Sequence, residues 1–341
     1  MQSHPNHKAH LALASVCFFW GTTYLAIRMA LETVPPLFLI AGRFCLSGGL
    51  MMGWVLLSGK QHLRRARKTE PLTANQSSAL PSPVVARRAP FALPRGRELL
   101  ITVANGVLIL GVGNGCLVFA EMWISSSLAA LFIAISPFWM VALETLVPGG
   151  ERLRWPALAG ILTGFLGAGL LVAPSLAAKG MSGDVWKGFL ILQLGSLSWG
   201  LGSILQKRNK GRAHPIVSGA VQQMAAGVAF LIPALLARQT PVSWTSRGMW
   251  AVLYLVVFGS IVGYSSYIYA LDRLPVSLVS IYTYVNPVVA ALLGWYFYRE
   301  PFGRREVLAM AVIFCGVAVV KTFSRPGPFQ APSPPVPRQS S

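Results

Sequence analysis

Seven side chains of this 341-residue chain have the types and surroundings needed to hold a small molecule: Arg43, Trp20, Tyr24, Asn114, Trp199, Gln222 and Asn286. All lie in strongly apolar stretches, where a charged or amide group is costly and is kept facing protein or water. Arg43 is the sharpest of them. Turned inward, its guanidinium presents a fork of donors that matches a carboxylate or phosphate. Turned outward, it snorkels along its methylene stem to the headgroups. The amides of Asn114, Gln222 and Asn286 suit uncharged polar parts, and the rings of Trp20, Tyr24 and Trp199 suit apolar or cationic parts. Thr22, Thr23, Ser198, Gln223, Tyr264, Tyr267, Tyr282 and Tyr284 stand in the same stretches. Each of these either faces a cavity or bonds another helix, the second worth about 0.6–2 kcal/mol.

Catalytic equipment is harder to assemble. Of the acidic residues only Glu144 falls clearly inside an apolar stretch, near one end, and Glu121 falls just beyond one. Proton and cation sites in pumps commonly use a carboxylate at mid-depth, so the sequence does not point to cation coupling. His4, His7, His10, His62 and His214 lie in termini, connections or segment edges, whereas a metal site or acid–base pair needs them to converge. Cys17, Cys45, Cys116 and Cys315 lack metal-site spacing and read as small packing residues. The sequence assigns no catalytic residue, no metal and no cofactor.

The elements that must position these side chains follow from composition. Hydrophobic residues make up 54% and charged residues 11%, against about a quarter charged in a soluble chain. A spanning helix needs about 20 mostly apolar residues. Ten such segments are predicted: 10–30, 37–57, 99–119, 126–146, 155–173, 186–206, 215–237, 247–269, 276–297 and 305–322. The fold class is therefore an all-α polytopic membrane protein embedded in the lipid bilayer. The net charge of +19 does not mark a nucleic-acid binder, because the cations cluster between segments as the positive-inside rule expects. With the N-terminus inside, 20 Lys and Arg fall on the cytoplasmic side and 7 outside. Both termini are then cytoplasmic, and Arg43 lies roughly 10 Å below the outer boundary at about 1.5 Å per residue.

The ten segments form two sets of five. Trp20-Gly21 opens the first and Trp199-Gly200 the second; Pro137 and Pro287 follow, then Glu151 and Glu300. A unit that crosses five times exits opposite its entry, so its second copy sits upside down. Such inverted repeats mark secondary transporters. The first unit spans 10–173 and the second 186–322, with 323–341 a Pro-rich disordered tail. The first is longer because 58–98, rich in Arg, Pro, Ala and Ser, stands where the second has only 238–246; this basic insertion reads as a solvated loop or a contact for anionic headgroups. Pro137 and Pro287 are predicted mid-helix, as paired flexing points or as static kinks. Gly111 with Gly115, and Gly160 with Gly164, have the small-xxx-small spacing of close helix contacts. In register with the tryptophans, Gln222 is the counterpart of Arg43.

The stretches Trp20-Gly-Thr-Thr-Tyr24, Pro35-Pro36 with Arg43-Phe44, Val112-Gly-Asn-Gly115 with Ala120-Glu121, Gly195-Ser-Leu-Ser-Trp-Gly200 and Tyr284-Val-Asn-Pro-Val-Val289 occur in order. The chain resembles the EamA-domain permeases of the drug/metabolite transporter superfamily, in their bacterial inner-membrane branch. The resemblance covers about 10–322. It implies ten helices in two inverted repeats, a central cavity, alternating access, and transport of amino acids, other metabolites or toxic compounds. Two departures stand out: the long 58–98 insertion, and Gln222 where similar proteins often carry Glu. The expected activity is export of a small amino-acid-like or amphipathic metabolite by a monomer or homodimer. A membrane-embedded enzyme for lipid-linked substrates, or a sensor without flux, is the alternative.

Overall fold

The computed structural model describes residues 7–69, 93–124, 126–147, 155–179, 183–209, 213–237, 242–298 and 303–323. Among them every regular element is helical, and no strand occurs. Taking pieces divided by a two-residue break together, the helices are α1 (His7–Leu31), α2 (Pro36–Thr69), α3 (Arg97–Ala120), α4 (Ser126–Ile133 and Ser136–Leu146), α5 (Trp155–Lys179), α6 (Gly183–Arg208), α7 (Pro215–Leu236), α8 (Ser246–Arg273), α9 (Val276–Val279 and Tyr282–Tyr298) and α10 (Arg304–Phe323). Eight segments of the described residues are long and apolar enough to cross a membrane; α5 and α10 fall outside that set, α5 retaining a shorter apolar stretch at Leu158–Leu170.

Local chemistry fixes several ends. His214 caps α7 by accepting from the Ile216 N–H, with Pro215 in the first turn where its missing donor costs nothing. Thr245 caps α8 by accepting from Gly248 N–H at 3.1 Å. Asp184 begins α6 and Lys207 and Arg208 end it, each sign at the favourable pole of the helix dipole.

Two expectations change here. The helix α2 runs on to Thr69, so the first part of the basic insertion 58–98 is helix rather than loop. The helix formed over the apolar span runs through Ser58-Gly59 into Lys, Gln, His, Leu and Arg, all tolerated in helices, with no Pro to stop it before Thr69. Pro137 is not mid-helix. The helix breaks at Ala134-Ile135, and Pro137 enters in the first turn of the second piece of α4. Without an N–H it cannot continue the preceding ladder, and its ring crowds the carbonyl one turn back. Pro287 does stay inside a helix; the break in α9 comes earlier, at Ser280-Ile281, where Ser280 and Thr283 hydroxyls donate to the Ser277 and Ser280 carbonyls. Residues 70–92, Glu151, Glu300 and the tail from 324 lie outside the described residues.

Packing is organised by glycine. The helix α2 lies along α7 and α5 along α10; α1 packs on α8 and α9, while α6 packs on α3 and α4. The contacts are reciprocal. A Cβ on Gly48 would stand 2.7 Å from Met224 N, and one on Gly227 would stand 2.6 Å from Cys45 N. Gly48 and Gly227 are 179 positions apart, and so are Cys45 and Met224, the same shift that relates Trp20 to Trp199. At the other pair, Gly167 abuts Ile313 and Ala309, while Gly316 abuts Gly164 and Gly160, all related by a shift of 149. Residue i meeting j while j's counterpart meets i's counterpart is the signature of an isologous contact. Gly111 and Gly115 both abut Phe230 of α7.

Candidate functional site

The regular helix ladder fails at matched places in α3 and α8, where Val107–Gly113 and Leu255–Val262 wind as π-helix. A π-turn widens the helix and leaves carbonyls without their usual partners, so it needs donors from neighbours. Trp20 supplies one in α8, its Nε1 donating to Gly259 O at 2.9 Å. Ser198 supplies one in α3, its Oγ donating to Leu108 O at 2.9 Å. A glycine at the end of each widened segment, the last residue of the first and the residue after the second, seats a tryptophan of the other half. Trp199 lies on Gly113, where a Cβ would come within 2.8 Å, and Trp20 lies on Gly263. The two tryptophans then meet edge to face, their rings 5.3 Å apart, with Tyr282 against Trp20 at 5.0 Å.

Around this aromatic junction α1, α2, α3, α4, α6, α8 and α9 form the wall of a partly open cavity. Of the seven sequence-predicted residues, Trp20, Tyr24, Arg43, Asn114, Trp199 and Asn286 line it. Gln222 does not. Its carboxamide is turned into a buried cluster, donating to Gln206 Oε1 at 2.5 Å and accepting from Tyr264 Oη at 2.7 Å, so it stands behind Tyr264, which does line the cavity. The backbone of Gln222 is pressed against Gly106 of α3, which fixes the helix rotation that turns its side chain away.

Arg43 takes the inward course. It is only 5% exposed, and its Nε donates to Ser260 Oγ at 2.7 Å. Gly259 makes room for it, since a Cβ there would stand 2.8 Å from Nη2. Among the described residues no carboxylate lies within ion-pair reach of Arg43, and neither terminal amine has a described hydrogen-bond partner. No carboxylate lines the cavity. A buried cation without a counter-charge is costly, and an anion from outside the chain would relieve it.

The rest of the wall is hydroxyl, amide and ring. Ser136 donates to Ser196 at 2.9 Å, and both line the cavity. Asn114 begins the α-helical turn after the π-segment; its backbone N–H donates to Gly111 O, and its carboxamide makes no hydrogen bond to a described side chain. Asn286 is buried with its Oδ1 unpaired and lies against Tyr24. Ser136 and Asn286 each precede a paired proline, Pro137 or Pro287, and both line the same space. Sequence reasoning missed Ser260, Ser136 and Ser196, which carry no signal beyond being hydroxyls in apolar segments. It also missed Gly259, although the adjacent Gly259-Ser260 pair inside a span was a visible irregularity. Tyr267 and Tyr284, grouped with the cavity set by sequence, stand apart from it: Tyr267 lies beneath the tryptophans and Tyr284 packs on Gly164.

The comparisons with known proteins agree with this architecture. The EamA-like transporter family matches twice, over residues 7–173 and 186–322. The inner membrane transporter YedA of Escherichia coli is 32% identical over 313 residues, covering 91% of this chain and 89% of YedA. The transporter YvbV of Bacillus subtilis is 24% identical, covering 95% of each chain. A WAT1-related chloroplastic protein of Arabidopsis thaliana is 23% identical over 90% of this chain and 68% of its own length. A crystal structure of a protein 21% identical superposes with a TM-score of 0.72 over 94% of this chain and 98% of that one, a likeness of fold. Two family-length matches and this identity to YedA leave one assignment: the chain is a multi-pass inner-membrane transporter and belongs to the EamA-like family of the drug/metabolite transporter superfamily.

Proposed function

We propose that this transporter is a secondary carrier of small anionic or zwitterionic amphipathic metabolites, amino-acid-like in chemistry, moved outward by alternating access. Its ten helices cross the membrane as two inverted five-helix repeats, with both termini cytoplasmic. The reciprocal glycine contacts and the matched π-segments support the two-fold relation, and the charge count between segments supports the orientation. The observation that carries the substrate class is Arg43: a buried guanidinium, unpaired with any described carboxylate, facing a cavity with no acid in its wall. Trp20, Trp199 and Tyr24 provide flat apolar surface beside it, and Asn114 and Asn286 provide amides for the remaining polar atoms. One end of the substrate is held by charge and the other by rings.

The test is a flux screen in proteoliposomes with amino acids, nucleosides and cationic drugs as probes, with and without a pH gradient. Carboxylate-bearing probes are expected to move or compete. Arg43→Ala removes one partner of a buried charge pair, worth about 2–5 kcal/mol, so affinity for those probes falls roughly thirtyfold or more. Unchanged transport by inserted Arg43→Ala, or competition by cationic drugs alone, refutes the assignment.

A further inference from the structure

One carboxyl group stands apart from the site just described. Glu121 follows Ala120, the last residue of the α3 span, and sequence placed it in a connection. Its stem is partly exposed, yet both carboxyl oxygens are buried and neither has a hydrogen-bond partner. The helix α1 faces it with Tyr24 and Arg28, which are four residues apart and so lie one above the other on one face. Tyr24 also lines the cavity, beside Asn286 with its unpaired Oδ1. One side chain therefore links the carboxyl group to the cavity.

The surrounding charges are accounted for elsewhere, with one exception. On α6 Asp184 pairs with Lys187 at 3.0 Å, and in the turn after α1 Glu32 pairs with Arg247 at 3.7 Å. From α9 the neighbouring group is the neutral Asn286. Arg28, exposed at the end of α1, is the cation that acts on Glu121. Burial pushes the Glu121 carboxyl well above the usual carboxylate range, and the positive charge of Arg28 works in the opposite direction. An ionised carboxylate with no partner would cost several kcal/mol, so the group takes a proton in this arrangement. A small shift of α1 against α3 that brought the Arg28 guanidinium onto it would reverse the preference.

We propose that Glu121 is a proton-binding site behind Tyr24 of the cavity wall, neutral in the present conformation and ionised when Arg28 pairs with it. The proton leaves to water at the outer face and returns when the pair breaks. Tyr24 couples that change to the cavity, which makes Glu121 the group that ties a pH gradient to the carrier cycle. That coupling role rests on the carrier reading above; the proton site does not.

The experiment uses the full-length protein. Infrared spectra of wild type at neutral pH should contain a protonated-carboxyl C=O band that is missing from Glu121→Gln, a neutral isostere that leaves the fold intact. In Arg28→Gln the same band should persist to higher pH. Identical wild-type and Glu121→Gln spectra overturn the proton site. In proteoliposomes, with a mixture of radiolabelled amino acids as probe, a pH gradient should change wild-type flux about tenfold, within the usual range of coupling between sites, and leave Glu121→Gln flux unaffected. A wild-type response retained in Glu121→Gln overturns the coupling role. Wild type that moves no probe under any gradient refutes the carrier reading instead, while the infrared band still decides the proton site.

Discussion

Gly48 and Gly227 offer the most direct test of how the halves fit together. A Cβ on Gly48 would stand 2.7 Å from Met224 N, 0.7 Å short of the 3.4 Å at which ordinary contact begins; on Gly227 the shortfall to Cys45 N is 0.8 Å. Both obstacles are backbone, so neither can swing aside, and α2 and α7 must separate. Overpacking of this kind costs about 1–3 kcal/mol per site. Gly48→Ala and Gly227→Ala should therefore destabilise by similar amounts. Because both act on one crossing, the separation forced by the first relieves the second. The double variant should fall short of the sum by about 1 kcal/mol or more. Gly42 and Gly49 sit in the same helix with nothing within 4 Å of a new Cβ. Alanine there should be neutral or stabilising by up to about 1 kcal/mol through helix propensity. Unfolding titrations in mixed micelles would read all five proteins against wild type. A neutral Gly48→Ala beside a destabilising Gly49→Ala, or strict additivity of the pair, refutes the reciprocal contact.

Other outcomes follow from individual bonds. Trp20→Phe leaves the Gly259 carbonyl of a π-segment without its donor, a loss of about 1–3 kcal/mol, whereas Trp199→Phe costs less because Tyr267 keeps its Ser203 partner at 2.6 Å; thermal unfolding should rank them in that order. Gln222→Leu strands the Tyr264 hydroxyl, while Gln206 keeps Asn105 as a donor; it should lower stability by about 1–3 kcal/mol while leaving probe affinity within about twofold of wild type, as measured by competition binding. The Glu121 carboxyl, raised by burial, makes the folded state bind more protons than the unfolded. Stability should thus be full at low pH and decline as pH rises from the ordinary carboxylate range through the raised value. In Glu121→Gln that slope should vanish from the pH profile of the melting midpoint.

How much of this was readable in the chain differs by residue. Trp20 and Trp199 announced the repeat, and the structure brings them into contact with each other, because matched positions on α1 and α6 approach one axis. Arg43 was legible as a cost: a cation in an apolar helix must face somewhere polar, though only tertiary placement of Gly259 and Ser260 says where. Register arithmetic identified Gln222 as its counterpart but carried no information on helix rotation, which Gly106 sets. The π-segments left no signal, since apolar runs such as Leu255–Val262 fit α- and π-winding equally well in composition. Glu121 was misjudged for a related reason. Distance past the end of a span says nothing about whether a neighbouring helix covers the carboxyl group.

The irregular backbone has a single physical logic. Freed backbone groups at membrane depth are tolerated only where they are buried in protein or line a cavity. Here α3 and α8 carry π-segments and α4 and α9 carry breaks, and residues of all four line the same space; α5 and α10, which contribute nothing to it, run without interruption. The interruptions are not quite equivalent. The break in α4 falls immediately before Pro137, while that in α9 falls about one turn earlier than the matched position before Pro287. Two halves of matching landmarks have therefore settled into two local shapes. Each shape needs different partners for its carbonyls: in α9 the hydroxyls of Ser280 and Thr283 serve, whereas at the α4 break the Ala134 N–H is shared between the Ala130 and Leu131 carbonyls. The energy separating the shapes is that of a few exchanged hydrogen bonds, about 0.5–1.5 kcal/mol each, small enough for a bound ligand to bias. A bundle so arranged is stiff at its glycine crossings and soft at its cavity.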